Sequence, residues 1–131
     1  MSIKFSNRDV YVKESAIEGF GVFANRDFKK DEIVLDWKPE KVMSSKDMKI
    51  MQLSAKRFLS RVESQYVALS IPGKYVNHSC SPNTKVQNFN DIAVRDIRKD
   101  EEITADYFAE RVPVKFVCKC GSVNCRGEYR G

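Results

Sequence analysis

Three of the chain's four cysteines fall within eight residues, Cys118-Lys-Cys120-Gly-Ser-Val-Asn-Cys125, while the fourth, Cys80, stands far upstream beside the only histidine, His78. Three thiolates at this spacing can take three corners of a tetrahedral zinc site at about 2.3 Å, and they leave the fourth corner open. Only Cys80 and His78 remain as candidates for it. Cys80 is preferred because it uses all four cysteines and leaves none free; four thiols without a metal are the alternative. Either choice ties the C-terminal tail to the polar loop YVNHSCSPN, residues 75–83. A zinc closed by four protein ligands has no position for water, so it is structural and not itself the catalyst.

A disulfide framework is not expected. The N-terminal stretch MSIKFSNRDV lacks the apolar core of a signal peptide. The chain is therefore expected in a reducing intracellular compartment, nucleus or cytoplasm, where disulfides are rare. No apolar run approaches the length of a membrane span. The 131 residues fit one domain, and 42% hydrophobic with 31% charged residues describe a globular chain. The formal charge of +5 admits an acidic partner such as nucleic acid, but the basic residues are scattered among acidic ones, as a solvated surface would have them.

Short strand-like runs dominate: 10–15, 21–28, 32–37, 65–71, 91–97 and 101–108, each bounded by Gly, Pro, Asn or Asp. Residues 44–62 read as one helix, with Met48, Met51, Ala55, Phe58, Leu59 and Val62 at helical spacing behind a capping signal at Ser44 and Asp47. A β-rich α+β domain follows. A weak repeat relates residues 23–37 to 92–107 with one gap. Ala24, Arg26, Asp27, Lys30, Asp31 and Glu32 match Ala93, Arg95, Asp96, Lys99, Asp100 and Glu101. Each copy reads as a strand, a charged turn and a second strand ending in Asp plus an aromatic, Trp37 or Tyr107. Either two hairpins share turn chemistry, or the repeat marks a pseudo-symmetric arrangement.

The segments GFGVFANRDFKKDEIV, YVNHSCSPN, EEITADY and CKCGSVNCRG, in this order and over about residues 8–129, resemble the SET-domain protein lysine methyltransferases, the last segment resembling their zinc-binding post-SET tail. The resemblance implies small twisted sheets around a knot-like threaded core, a SET domain over 1–110 with a short helical insert at about 44–62, and a post-SET tail over 111–131 in the same compact unit. It implies that Gly19, Phe20 and Gly21, with Asn77, His78 and Tyr107, hold S-adenosylmethionine. Tyr107 would be the catalytic residue for methyl transfer to the ε-amine of a protein lysine. Trp37 and Ala105 would shape the lysine channel, and Cys80, Cys118, Cys120 and Cys125 would hold one structural zinc ion.

Several positions depart from the family pattern. Trp37 stands where a channel tyrosine is usual and offers no hydroxyl. Ala105 replaces a common Phe or Tyr and suggests more room for methyl groups, and Lys74 replaces a common arginine. The implied partner is a protein, with histone tails or nucleosomes as the family habit. A chain at +5 does not draw lysine-rich tails by its net field, which leaves contact with DNA or a non-histone substrate open. The competing reading is a non-enzymatic, zinc-stapled module that binds protein or nucleic acid.

Overall fold

The computed structural model describes residues 3–36, 42–43, 59–62, 65–68, 71–107, 116–118 and 121–129. Thirteen short strands make up nearly half of them: β1 (Phe5–Ser6), β2 (Val10–Glu14), β3 (Phe20–Ala24), β4 (Ile33–Asp36), β5 (Val42–Met43), β6 (Leu59–Val62), β7 (Gln65–Ala68), β8 (Asn77–His78), β9 (Thr84–Gln87), β10 (Asn90–Ala93), β11 (Glu102–Ala105), β12 (Phe116–Val117) and β13 (Glu128–Tyr129). A 3-10 turn, Gly73–Tyr75, leads into β8. The β-rich expectation holds. Leu59 and Val62, expected at the end of the helix, instead lie in β6, paired antiparallel with β7. A four-residue stretch carries too little periodicity to choose between helix and strand, and pairing with a neighbour decided it. The rest of the expected helix, 44–58, lies outside the described residues.

The strands form a five-stranded sheet ordered β1-β2-β3-β11-β8, two three-stranded sheets ordered β4-β10-β9 and β5-β7-β6, and the pair β12-β13. Strand β11 is inserted between β3, to which it runs antiparallel, and β8, to which it runs parallel. It is covered on both faces, with Ile103, Thr104 and Ala105 all buried, and its apolar residues join the core with Val10, Val12, Val22 and Phe28.

The repeat turns out to be a reciprocal exchange of strands. In each copy the first strand, the charged turn and the second strand follow one another, yet the two strands of a copy do not pair. Strand β3 pairs with β11, the second strand of the other copy, and β10 pairs with β4. The exchange is centred on Phe28 and Ile97, which trade backbone hydrogen bonds of 2.7 and 2.8 Å. Around them the contacts come in matched pairs. The Asp31 N–H donates to the Ala93 carbonyl at 2.8 Å, as the Asp100 N–H donates to Ala24 at 2.7 Å. The Lys30 N–H reaches Asp96 at 2.9 Å and the Lys99 N–H reaches Asp27 at 2.8 Å. Arg26 meets Glu32 at 3.2 Å and Arg95 meets Glu101 at 3.0 Å. Asp31 and Asp100 have φ of 75° and 72°, a left-handed backbone that aspartate tolerates better than most residues. Two simple hairpins are thereby excluded.

Glu101 reports on the clasp. Burial alone would raise its pKa, but the Arg98 backbone N–H, the Arg95 guanidinium and the Asn83 amide more than offset this and hold it below the usual carboxylate range. A folded-state pKa below the unfolded one gives stability that is present above the unfolded value and is lost as pH falls through the folded value. Glu101→Gln should therefore lower stability at pH 7 and flatten the loss of stability below about pH 4.3, measured by urea unfolding across a pH series.

Candidate active site and cysteine centre

The segment Glu18–Gly21 enters β3 through Gly19, whose φ of 43° lies in the left-handed region and whose α-carbon faces open space. The loop is fastened from below. The Asn77 side-chain amide donates to the carbonyls of Glu18 and Phe20 and to Glu102 Oε2, each at 3.0 Å. The Ser15 hydroxyl lies 2.9 Å from both Glu102 oxygens. Glu102 thus fills the space beside Gly21: a Cβ built there would stand 2.3 Å from Glu102 Oε2 and 3.0 Å from Ser15 Cβ. Only glycine leaves that carboxylate its place. An open, left-handed glycine beside a pinned backbone can receive the polar end of a small ligand at close range.

Strand β8 carries Asn77 and His78 beside Thr104 and Ala105 of β11. His78 is 5% exposed, and its Nδ1 lies 3.0 Å from the Tyr107 backbone nitrogen. A backbone N–H can only donate, so Nδ1 accepts, and a neutral ring carries its proton on Nε2. Burial lowers the His78 pKa; the Asp106 carboxylate opposes that shift and the Arg126 guanidinium reinforces it. The Tyr107 hydroxyl donates to the Val76 carbonyl. With its proton so engaged, the phenol oxygen keeps lone pairs to accept from another group. Its ring lies 5.4 Å from that of His78, tilted by 48°.

Cys80 is buried, and its sulfur lies 3.8 Å from Cys118 Sγ and 3.3 Å from His78 Nε2. Two sulfurs on a tetrahedral metal with bonds of about 2.3 Å stand about 3.8 Å apart, so the pair fits zinc. The histidine fits less well: metal on Nε2 would require a proton on Nδ1, where the Tyr107 N–H already points. The geometry therefore favours Cys80 as the ligand and His78 as a donor to its sulfur. Among the described residues, His78, Cys80 and Cys118 form one compact group of potential ligands. Cys125 is exposed and is not one of the three, although the backbone N–H of the next residue, Arg126, reaches Cys80 Sγ at 3.2 Å. Cys120 and Trp37 lie outside the described residues. Ala105 is buried, opposite His78.

A family profile described as the SET domain matches residues 19–108. The chain belongs to the SET-domain family. An H3 lysine-4-specific histone-lysine N-methyltransferase of Aspergillus oryzae is 30% identical to this SET domain over 95% of the chain, and histone-lysine N-methyltransferase 2D of Homo sapiens is 29% identical over 90%. The chain spans only 12% and 2% of those relatives' lengths. A solved structure of a candidate histone methyltransferase from Plasmodium falciparum superposes with a TM-score of 0.63 at 24% identity, covering 78% of this chain and 95% of that one, which confirms the SET fold.

Within this SET domain the expected groups Gly19-Phe20-Gly21, Asn77-His78 and Tyr107 do converge through hydrogen bonds. Ser15, Glu102 and Arg126 were missed. A carboxylate held beneath a glycine leaves no local signal, although the presence of two glycines flanking Phe20 hinted that something filled the missing side-chain volume. Gly21→Ala should cost about 1–3 kcal/mol through displaced Glu102 hydrogen bonds. Combining it with Glu102→Ala should cost less than the two single losses added, as read by denaturant unfolding of all three variants.

Proposed function

We propose that this SET domain is a protein-lysine methyltransferase using S-adenosylmethionine, with Tyr107 as its catalytic residue. The observation that carries the reading is the joint placement of the left-handed Gly19, the Asn77-His78 strand and the Tyr107 hydroxyl oriented by Val76. Gly19, Phe20, Gly21, Asn77 and His78 would hold the cofactor. When bound, it supplies an electrophilic methyl group on a positively charged sulfur. A lysine amine must be neutral to attack, and deprotonation at pH 7 costs about 4.6 kcal/mol from a free pKa near 10.4. A desolvating channel lowers that cost. The Tyr107 oxygen can then accept from the amine or polarise the transferring methyl, so that alignment supplies much of the acceleration. Trp37 and Ala105 are proposed to shape the channel.

The substrate proposed first is the N-terminal tail of histone H3, because relatives named as H3 lysine-4-specific match nearly the whole chain. Cys80, Cys118, Cys120 and Cys125 are proposed to bind one zinc ion that fixes the tail. Methyl transfer from labelled S-adenosylmethionine to histones, nucleosomes and cell lysate should appear with the unaltered chain. Tyr107→Phe should lower kcat by about 10²–10³, with the cofactor-induced rise in melting temperature retained. No transfer to any protein and no thermal shift with cofactor would overturn this reading.

The zinc assignment is tested separately. Cys80→Ala should abolish stoichiometric zinc retention, whereas His78→Gln should retain one zinc per chain by elemental analysis. Loss of zinc in the His78 variant alone would reverse the ligand assignment.

A further inference from the structure

Arg126 occupies a position for which the catalytic scheme so far has no use. Its backbone N–H donates to Cys80 Sγ at 3.2 Å, its Nε–H donates to the same sulfur at 3.4 Å, and its Nη2 donates to Asp106 Oδ1 at 2.7 Å. Asp106 Oδ1 in turn lies 3.9 Å from His78 Nδ1, the atom that accepts from the Tyr107 N–H. Two routes therefore join Cys80 to the Asp106–Tyr107 segment: one through Arg126 to the Asp106 carboxylate, the other through the His78 ring, whose Nε2 meets the sulfur and whose Nδ1 accepts from the Tyr107 N–H.

We propose that Arg126 is a positioning residue that couples the cysteine centre to Tyr107. The inference rests on the methyltransferase reading above and adds to it how the tail acts on the reacting group. The ε-nitrogen and terminal nitrogens of one guanidinium lie in one plane, so fixing Nε on the sulfur fixes where Nη2 presents its proton. Asp106 is the residue immediately before Tyr107, and its carboxylate is held at that point. Ligands bound to a metal are oriented by the hydrogen bonds their other atoms receive; here the same arginine that orients the Cys80 sulfur also fixes the approach to the tyrosine.

Energy alone would not give Arg126 this importance. The side chain is 41% exposed and Asp106 is 23% exposed, and ion pairs open to solvent contribute little to stability. Its value lies in direction. Misplacing a reacting group by about 1 Å can cost 10²-fold in rate, so small displacement of the Asp106–Tyr107 backbone is enough. Lysine cannot replace it, because a single ammonium on a flexible stem does not span the sulfur and the carboxylate in one plane.

The test uses the zinc-loaded chain, unaltered and as Arg126→Lys, Asp106→Asn and the double variant, with Tyr107→Phe to assign the tyrosine ring signal in a ring-labelled NMR spectrum. Arg126→Lys should melt within about 5 °C of the unaltered chain and lose zinc to a chelator about 10-fold more readily. It should also lower kcat about 10–100-fold, with little change in KM for S-adenosylmethionine. Its Tyr107 ring signal should move in the direction that zinc removal moves it in the unaltered chain. Asp106→Asn should lower kcat similarly with zinc retention unchanged, and the double variant should be little worse than either single one. Unaltered kcat and Tyr107 signal in zinc-loaded Arg126→Lys, or rate losses that simply multiply in the double variant, would overturn the coupling. If the unaltered chain methylates nothing, the functional reading fails by itself, and the Tyr107 signal in Arg126→Lys still decides whether Arg126 links the two sites.

Discussion

The backbone exchange between Phe28 and Ile97 is the constraint on which the remaining structure depends. Two N–H···O bonds between buried residues lock the charged turns of both copies against each other, and each turn then sends its second strand into the other copy's sheet. This places β11 in the interior, between β3 and β8. Every residue along it then serves a neighbour. Glu102 lies beneath the Gly19–Gly21 loop, and Thr104 meets the almost fully buried Asn83 through its N–H at 2.8 Å. The Ala105 carbonyl receives the Ser79 N–H at 3.0 Å, and Tyr107 leaves the strand end against His78.

A loop as polar as 75–83 is ordinarily found at the surface, because buried polar groups without partners cost about 1–3 kcal/mol each. Here Asn77, His78, Ser79 and Asn83 are buried with partners drawn from β11, the glycine loop and the tail. The network is mostly side chain to backbone, so it orients main-chain segments as well as side chains. The glycine loop, the tyrosine and the cysteine centre consequently share one support, and a change at one is felt through bonded groups at the others.

Much of this was legible in the residues. The repeat, the convergence of the NHSC cluster with the tail, and Tyr107 at a strand end could all be read locally. The exchange could not: identical turn chemistry serves a hairpin or a swapped pair equally well, and only long-range pairing separates them. Strand β9 escaped because its turn to β10 runs through Asn88 and Phe89 with φ of 52° and 60°. Asn-Phe carries none of the glycine that usually announces such a turn. Arg126 was invisible for a different reason, since an arginine after a cysteine gives no hint of the carboxylate of Asp106, which arrives from just beyond β11.

The exchange also sets the order in which the molecule can be assembled during synthesis. Chains emerge N-terminus first, so β2 and β3 can pair early, but β3 has no second neighbour until residues 102–105 leave the ribosome. Until then its free edge offers unpaired N–H and C=O groups beside valine and phenylalanine, the kind of edge that recruits strands from other chains. The tail must follow later still, because Cys80, Asp106 and the strand that presents Tyr107 have to be in place before Arg126 has anything to hold. The residues that brace the Asp106–Tyr107 segment therefore emerge after the strand they hold, and a nascent chain keeps Tyr107 without the Arg126 contact until residue 126 has left the ribosome.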